Sequence, residues 1–267
     1  MAAEVVTQLV TNRTIEIITE QPFYIPMTGP AARPRRSLKH DDTFIVLDSH
    51  GDIGASAGGP DGLFNADTRY LARLEMVLDD MQPLLLGSNL RDDNSALTVD
   101  LTNSDVYRND RLVLQKDTLH IVRSIFLWRG TAYQRIGLQN HGDRPASFDL
   151  TLLFDNDFAD LFEVRGEQRP RRGIGSARLL GPTDVVFEYS GLDEQSRITA
   201  LHFDPRPTRL AVNSATYHFE LEPKQVTSLF IAVSCNRPIM HKPVPFFRGL
   251  LAHRREMRRA AVGAASI

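Results

Sequence analysis

Carboxylate side chains suited to acid–base chemistry are concentrated in residues 154–166, which have the sequence FDNDFADLFEVRG. Two of the carboxylates of Asp155, Asp157, Asp160 and Glu163 could act as general acid and base on a glycoside. Carboxylate oxygens also bind Ca²⁺, although Asp160 occupies the position where an EF-hand loop requires glycine. Alternatively, these groups cap a helical turn and pair with nearby arginines. Spacing alone leaves catalysis, metal binding, sugar or partner contact, and structural pairing open.

The spacing of apolar residues changes within this segment. Phe158, Leu161 and Phe162 stand at positions i, i+3 and i+4, which predicts one helical turn packed onto the end of the preceding strand. A rigid turn would hold the polar side chains in fixed directions, as a binding edge requires. We therefore predict that the segment forms a functional edge of the domain. Its candidate site residues are Asp157, Asp160, Glu163 and Arg165.

Two further polar clusters contain candidate substrate-binding or interface residues. Asp67 and Arg69 lie on the same side of a predicted strand, so they are expected to form an ion pair, which contributes about 0–1 kcal/mol if exposed. Asp92, Asp93 and Asn94 form the second cluster, in a segment with the composition of a loop. Dense Asp and Asn residues are typical of turns and also suit sugar hydroxyls, so both interpretations stay open.

Other catalytic motifs are missing from the sequence. There is no Gly-x-Ser-x-Gly motif, and the single cysteine, Cys235, lies in an apolar strand where an inert thiol is expected. Gly173 and Gly175 do not form a dinucleotide loop, because Arg178 occupies the position of the third glycine. The eight histidines show no metal-ligand spacing. We therefore expect no catalytic residue, no metal and no cofactor in this chain.

The composition is that of a globular protein without a strongly charged partner. Hydrophobic residues make up 42% of the chain, which is enough for a sizeable core. The 31 basic and 33 acidic residues nearly cancel, so nothing favours binding to nucleic acid or to an anionic membrane. No apolar run approaches the ~20 residues of a membrane helix, and the N-terminus lacks the pattern of a secretion signal. A cytoplasmic location is expected.

The elements that would position these groups are strands, because apolar residues recur with a period of two almost everywhere. Phe148, Leu150, Leu152 and Phe154 share one face of a strand and are expected to be buried. Leu119–Trp128 is apolar on both faces, which predicts a central strand covered on two sides. Roughly a dozen such runs separated by short turns indicate an all-β, antiparallel sandwich.

The connections between strands are also predicted from turn residues. Tyr70–Leu78 is expected to form a single strand with its even-numbered residues in the core. Ala132–Asn140 and Ala146–Phe154 are predicted to form a hairpin, as are the strands on either side of residues 222–225.

One helix and three regions complete the prediction. Residues 1–40 are expected to be an irregular lead-in that can include a short strand, 41–240 a β-sandwich domain, and 241–267 a C-terminal linker helix. The helix is predicted over Phe246–Ala265, with many arginines on its polar side. Its predicted apolar stripe consists of Phe247, Leu250, Leu251 and Met257.

Four motifs together resemble a known family. In chain order they are GLF…DTRYL (62–71), PLLL (83–86), DN…VDLTN (93–103) and DFADLFEVRG (157–166). In this order they resemble the N-terminal domain of bacterial glycogen debranching enzymes of the amylo-α-1,6-glucosidase type. The resemblance extends from about Phe44 to about Ser234.

The resemblance implies an antiparallel β-supersandwich of the galactose-mutarotase-like type, in front of an α/α-toroid that carries the catalytic carboxylates. Residues 241–267 would lead toward that toroid. The implied partners are the toroid and an α-glucan such as glycogen. The chain is therefore expected to be a non-catalytic domain that packs on the toroid, helps to shape its glucan site and is inactive alone. The alternatives are a free-standing carbohydrate-binding module or a small sugar mutarotase, which would need a His–Glu pair in one cleft.

Overall fold

A computed structural model describes residues 35–54, 59–236 and 246–264, with the side chains of 257–264 excepted. Within these residues the chain forms the strands β1 (Arg36–His40), β2 (Thr43–Leu47), β3 (Gly62–Asn65), β4 (Thr68–Leu71), β5 (Arg73–Leu78), β6 (Leu84–Leu90), β7 (Ala96–Thr102), β8 (Val106–Arg108), β9 (Arg111–Leu114), β10 (Leu119–Trp128), β11 (Thr131–Asn140), β12 (Ala146–Asp155), β13 (Ile174–Leu179), β14 (Asp184–Ser190), β15 (Ser196–Asp204), β16 (Arg209–Leu210), β17 (Ser214–Leu221) and β18 (Val226–Cys235). The two helices are α1 (Leu161–Val164) and α2 (Phe246–Ala264).

Two antiparallel sheets enclose the main core. The larger has eight strands in the order β13-β14-β15-β18-β11-β10-β7-β6, and the smaller has four in the order β16-β17-β12-β5. Strands β1 to β4 form a third sheet, and β8 pairs with β9. The predicted fold class, an antiparallel β-supersandwich followed by a C-terminal helix, is confirmed.

The inner face of β12 confirms the burial predicted from its alternation. Phe148, Leu150, Leu152 and Phe154 are all buried. Phe154 contacts the aromatic rings of Phe203 and Phe187 from the larger sheet, with ring centroids 5.5 and 6.3 Å apart. Side chains of the two sheets therefore interdigitate in one core, as expected for a sandwich.

Both predicted hairpins are wrong, because each connection crosses from one sheet to the other. Strands β11 and β18 belong to the larger sheet, whereas β12 and β17 pair with each other in the smaller one. The buried Asn140 holds the two crossings together. Its side-chain amide donates to the carbonyls of Arg144 and Leu221 at 2.8 and 2.9 Å, and its backbone exchanges hydrogen bonds with Lys224 and Gln225. Local turn composition does not distinguish a corner of this kind from a hairpin.

The first strands also differ from the prediction. Tyr70–Leu78 is divided at Ala72, so that β4 lies in the third sheet and β5 in the smaller core sheet. The even-numbered side chains other than that of Ala72, where the strand divides, are nevertheless buried, as predicted. Strand β1 begins at Arg36, and it agrees with the short strand that the prediction allowed in the lead-in region. Residues 1–34 and 237–245 lie outside the described residues, so the proposed region boundaries stay predictions.

Strand β10 lies inside the larger sheet, between β7 and β11. The face opposite the core is covered at one end by α2, where the rings of Phe126 and Phe246 lie 5.1 Å apart. Trp128 donates its indole N–H to Glu256 at 3.0 Å. Coverage on both sides is thus confirmed at this end of β10.

The buried stripe of α2 matches the predicted one only at Leu250, which packs against the sheet, and the side chain of Met257 lies outside the described residues. Phe246 and His253 face the sheet, whereas Phe247 and Leu251 are exposed. Neither described helix is long and apolar enough to cross a membrane.

One charged pair lies in the core. Arg123 of β10 is fully buried and its Nη1 lies 2.5 Å from Oδ1 of Asp52, which is 2% exposed in its side chain. Nη1 also donates to the carbonyl of His50 at 2.7 Å. Burial raises the pKa of Asp52, and the Arg123 guanidinium opposes that shift.

Candidate functional site

The acidic segment begins where β12 ends, and an ion pair holds its first part. Asp157 accepts from Nε of Arg69 at 3.1 Å and from Nη2 of the same guanidinium. Arg69 is buried and also donates to the carbonyls of Gly59 and Asp61 at 2.9 and 3.2 Å. The predicted pairing of Asp67 with Arg69 is therefore wrong. Asp67 is exposed, and its backbone carbonyl accepts from the N–H of Leu161.

A capping box fixes the short helix α1. Oδ1 of Asp160 accepts from the backbone N–H groups of Phe162 and Glu163 at 2.8 and 2.9 Å, and Glu163 accepts from the N–H of Asp160 at 3.0 Å. Arg169 donates to Oδ2 of Asp160 at 2.6 Å, and Nε of Arg172 lies 3.2 Å from Glu163. Partial burial acts to raise the pKa of Asp160, but hydrogen bonds from the Glu163 N–H and Arg169 outweigh it and the pKa is lowered. The capping interpretation is confirmed.

The apolar anchor of this segment is Phe158, not the whole predicted triad. Phe158 is buried, with its ring stacked on Tyr189 at 5.3 Å and edge-on to Tyr70 at 5.6 Å. Leu161 is half-buried, but Phe162 is 56% exposed. The expectation that Phe162 packs onto the sandwich is therefore wrong. A rigid turn instead presents Phe162 and the exposed Arg165 to the outside.

These contacts decide what the carboxylates can do. A general acid needs a raised pKa, whereas Asp160 has a lowered one and Asp157 and Glu163 are paired with arginines. Among the residues whose side chains are described, no three metal-binding groups are close enough to hold an ion. The arrangement suits rigid binding or packing better than proton transfer.

An open groove of about 480 Å³ lies beside this segment. The end of β12 and its following loop form one side, and the β13–β14 hairpin forms another. Val212 and Asn213, which precede β17, complete the lining. Phe187 and Tyr189 supply aromatic surface within the groove.

The predicted cluster of Asp92, Asp93 and Asn94 does not lie beside the acidic segment. Asp92, Asp93 and Asn94 form the turn between β6 and β7, at the edge of the larger sheet opposite β13. Asp93 accepts from the hydroxyl and the backbone N–H of Ser95, and the hydroxyl is the main reason its pKa falls to about 2. Arg91 pairs with Asp93 at 3.2 Å. These contacts are those of a turn, and the structure does not bring the cluster to the acidic segment.

The groove contains residues that the sequence did not single out. Asn156 lies within the acidic segment, but Ser176, Tyr189 and Asn213 come from distant parts of the chain. No spacing rule connects them. Only Asn156 could have been identified from the sequence, because it lies among the candidate residues of the acidic segment.

Comparison with known proteins places the chain in context. The family model for the N-terminal domain of some glycogen debranching enzymes matches residues 38–232. No curated protein sequence matches the chain.

Similar solved structures include a candidate kojibiose phosphorylase from the human microbiome, with 13% identity and a TM-score of 0.47 over 86% of this chain and 33% of that one. A galactose mutarotase-like protein from Lactobacillus casei has 8% identity and a TM-score of 0.43, over 76% of this chain and 100% of that one. A 4-α-glucanotransferase from Thermococcus litoralis has 10% identity and a TM-score of 0.37, over 76% and 38%. This chain therefore spans about a third of the length of the phosphorylase.

Proposed function

The chain belongs to the family of N-terminal domains found in some glycogen debranching enzymes, and on this premise we propose that it is a non-catalytic domain that packs on a catalytic domain. In this proposal the partner is the helical toroid of an amylo-α-1,6-glucosidase, and the domain helps to shape its α-glucan site. A cytoplasmic location, where glycogen is stored, is part of the same proposal.

The observation that carries the proposal is the exposed pair of Phe162 and Arg165 on a rigid base. A large apolar side chain left 56% exposed is suited to burial against another surface. Aromatic and arginine side chains are enriched in protein interfaces and often dominate their energetics. The capping box of Asp160 and Glu163 already fixes the backbone beneath them. Docking would therefore order few groups that were mobile before contact, which lowers its entropic cost.

The ion pairs around the turn support the same role. Arg69, Arg169 and Arg172 each hold one of the carboxylates in the segment. These pairs stiffen the segment and leave few charges unsatisfied at its surface. A surface of this kind can be covered by a partner at a lower desolvation cost than one with free carboxylates.

We expect the purified chain to release no glucose from a branched glucan such as glycogen limit dextrin. The reason is that the carboxylates of the acidic segment are engaged by arginines and helix N–H groups instead of being poised for proton transfer. The measurement is glucose release over time, with a complete debranching enzyme as the positive control. Release that disappears in Asp157→Asn or Glu163→Gln would contradict the proposal.

A further inference from the structure

We propose that the groove between the end of β12 and the β13–β14 hairpin is a sugar-binding subsite that holds one or two glucosyl units of an α-glucan. Its volume of about 480 Å³ lies within the ~300–1,000 Å³ range of small-molecule sites. The groove chemistry points to a neutral sugar, and only the choice of an α-glucan rests on the proposed function.

The aromatic part of the groove is held rigidly. The ring of Tyr189 lies nearly parallel to that of Phe158, at 14° and 5.3 Å, and Phe158 is fixed in turn against Tyr70. The Tyr189 hydroxyl accepts a hydrogen bond from the backbone N–H of Gly173 at 2.8 Å. Tyrosine offers an apolar ring with a polar tip, and this combination matches the C–H faces and hydroxyls of a sugar.

The polar part of the groove carries hydrogen-bonding groups that are not used inside the domain. Within the described residues, no hydrogen bond involves the side chains of Asn156, Asn213 or Ser176. Each amide offers two donor hydrogens and an acceptor oxygen, and the serine hydroxyl can do both. Asp155 is exposed beside them, and one of its carboxylate oxygens accepts from the N–H of Asn156 at 2.8 Å. This mixture of donors and acceptors suits the hydroxyl groups of a polyol.

Two of the three charged residues that line the groove, Asp157 and Arg172, are compensated by an ion pair. Asp157 is paired with Arg69, and Arg172 lies 3.2 Å from Glu163 while also donating to the Asp157 carbonyl at 2.5 Å. Asp155 is the charged residue of the groove lining that has no ion pair among the described residues, and its carboxylate would repel an anionic ligand. A neutral ligand loses nothing from this arrangement, so the groove favours an uncharged sugar over a sugar phosphate.

The test is calorimetric titration of the full chain with maltotriose. We expect saturable binding, and at least tenfold weaker binding in the double variant Asn156→Ala/Asn213→Ala, because both amides have no structural partner to lose. Asn89→Ala on β6 removes an exposed amide at the opposite edge of the larger sheet and should leave affinity unchanged. Thermal unfolding of all three proteins should coincide, which separates lost binding from lost folding.

Absence of saturable binding to the wild-type chain would overturn the proposal. Equal affinity in the wild type and the Asn156→Ala/Asn213→Ala variant would overturn it too, since the sugar would then bind elsewhere. Weakened binding of the catalytic domain to this double variant, without any maltotriose binding, would show that a protein segment fills the groove. That last result would leave the proposed packing role intact, so the two proposals fail independently.

Discussion

Replacing Arg123 with methionine is expected to destabilise the folded domain by about 3–5 kcal/mol. The substitution keeps an unbranched side chain but leaves the carboxylate of Asp52 buried without its partner. It also removes the donor to the carbonyl of His50. When the Gln134 amide is oriented with its oxygen toward the guanidinium, that oxygen accepts two hydrogen bonds from Arg123, of 2.8 and 2.9 Å, and these are lost as well. Burial raises the pKa of Asp52 and Arg123 opposes that shift, so the pKa would rise further once Arg123 is replaced.

Urea unfolding measures this loss, and the chain provides a matched control. Arg91→Met breaks an arginine–aspartate pair with Asp93 that is exposed on the β6–β7 turn, and it should cost less than about 1 kcal/mol. The double variant Arg123→Met/Asp52→Leu removes both charges and should recover much of the stability. A loss below about 1 kcal/mol in Arg123→Met would mean that water or another group reaches Asp52, and that this account of the core is incorrect.

Phe148→Ala is expected to cost about 3–5 kcal/mol, because it removes a fully buried aromatic side chain and leaves a cavity. Phe148 packs in the core between the sheets and contacts the ring of Phe219 at 5.6 Å. The matched control is Phe162→Ala, which makes the same chemical change at an exposed position and should alter stability by less than about 0.5 kcal/mol. Similar losses for both variants in denaturant unfolding would show that the burial of β12 has been misassigned.

Period-two alternation was enough to predict the strands and their buried faces, but not how the strands connect. The face of β12 follows from Phe148 and Leu150 standing two residues apart. The crossing at Asn140 depends on backbone and side-chain contacts with residues more than 80 positions away. Turn composition is local, so it cannot reveal such contacts.

The buried charge pair was missed although the sequence contained a signal for it. Arg123 stands two residues from both Ile121 and Ile125, and therefore on the core face of the same strand. Arginine is almost never fully buried unless it is paired, which makes it easy to overlook as a core residue. Its partner, Asp52, is 71 positions away, and no spacing rule identifies it.

The candidate site was predictable only in part. The capping box is visible in sequence as Asp160 followed three residues later by Glu163. The pairing of Asp157 with Arg69 spans 88 positions, whereas strand alternation points only to Asp67, two residues away on the same side of the strand. Exposure of Phe162 could not be predicted, because helical spacing indicates which residues share a face but not whether that face is covered.

The proposed packing on a catalytic domain is tested most directly by measuring binding of the purified chain to the helical-toroid domain of the debranching enzyme. We expect the wild-type chain to bind, and Phe162→Ala/Arg165→Ala to bind at least tenfold more weakly, a loss of about 1.4 kcal/mol or more. The matched control is Arg111→Ala/Leu112→Ala on β9, where an arginine and an apolar residue are also exposed. Association unaffected by Phe162→Ala/Arg165→Ala, or no association of the wild-type chain, would contradict the account.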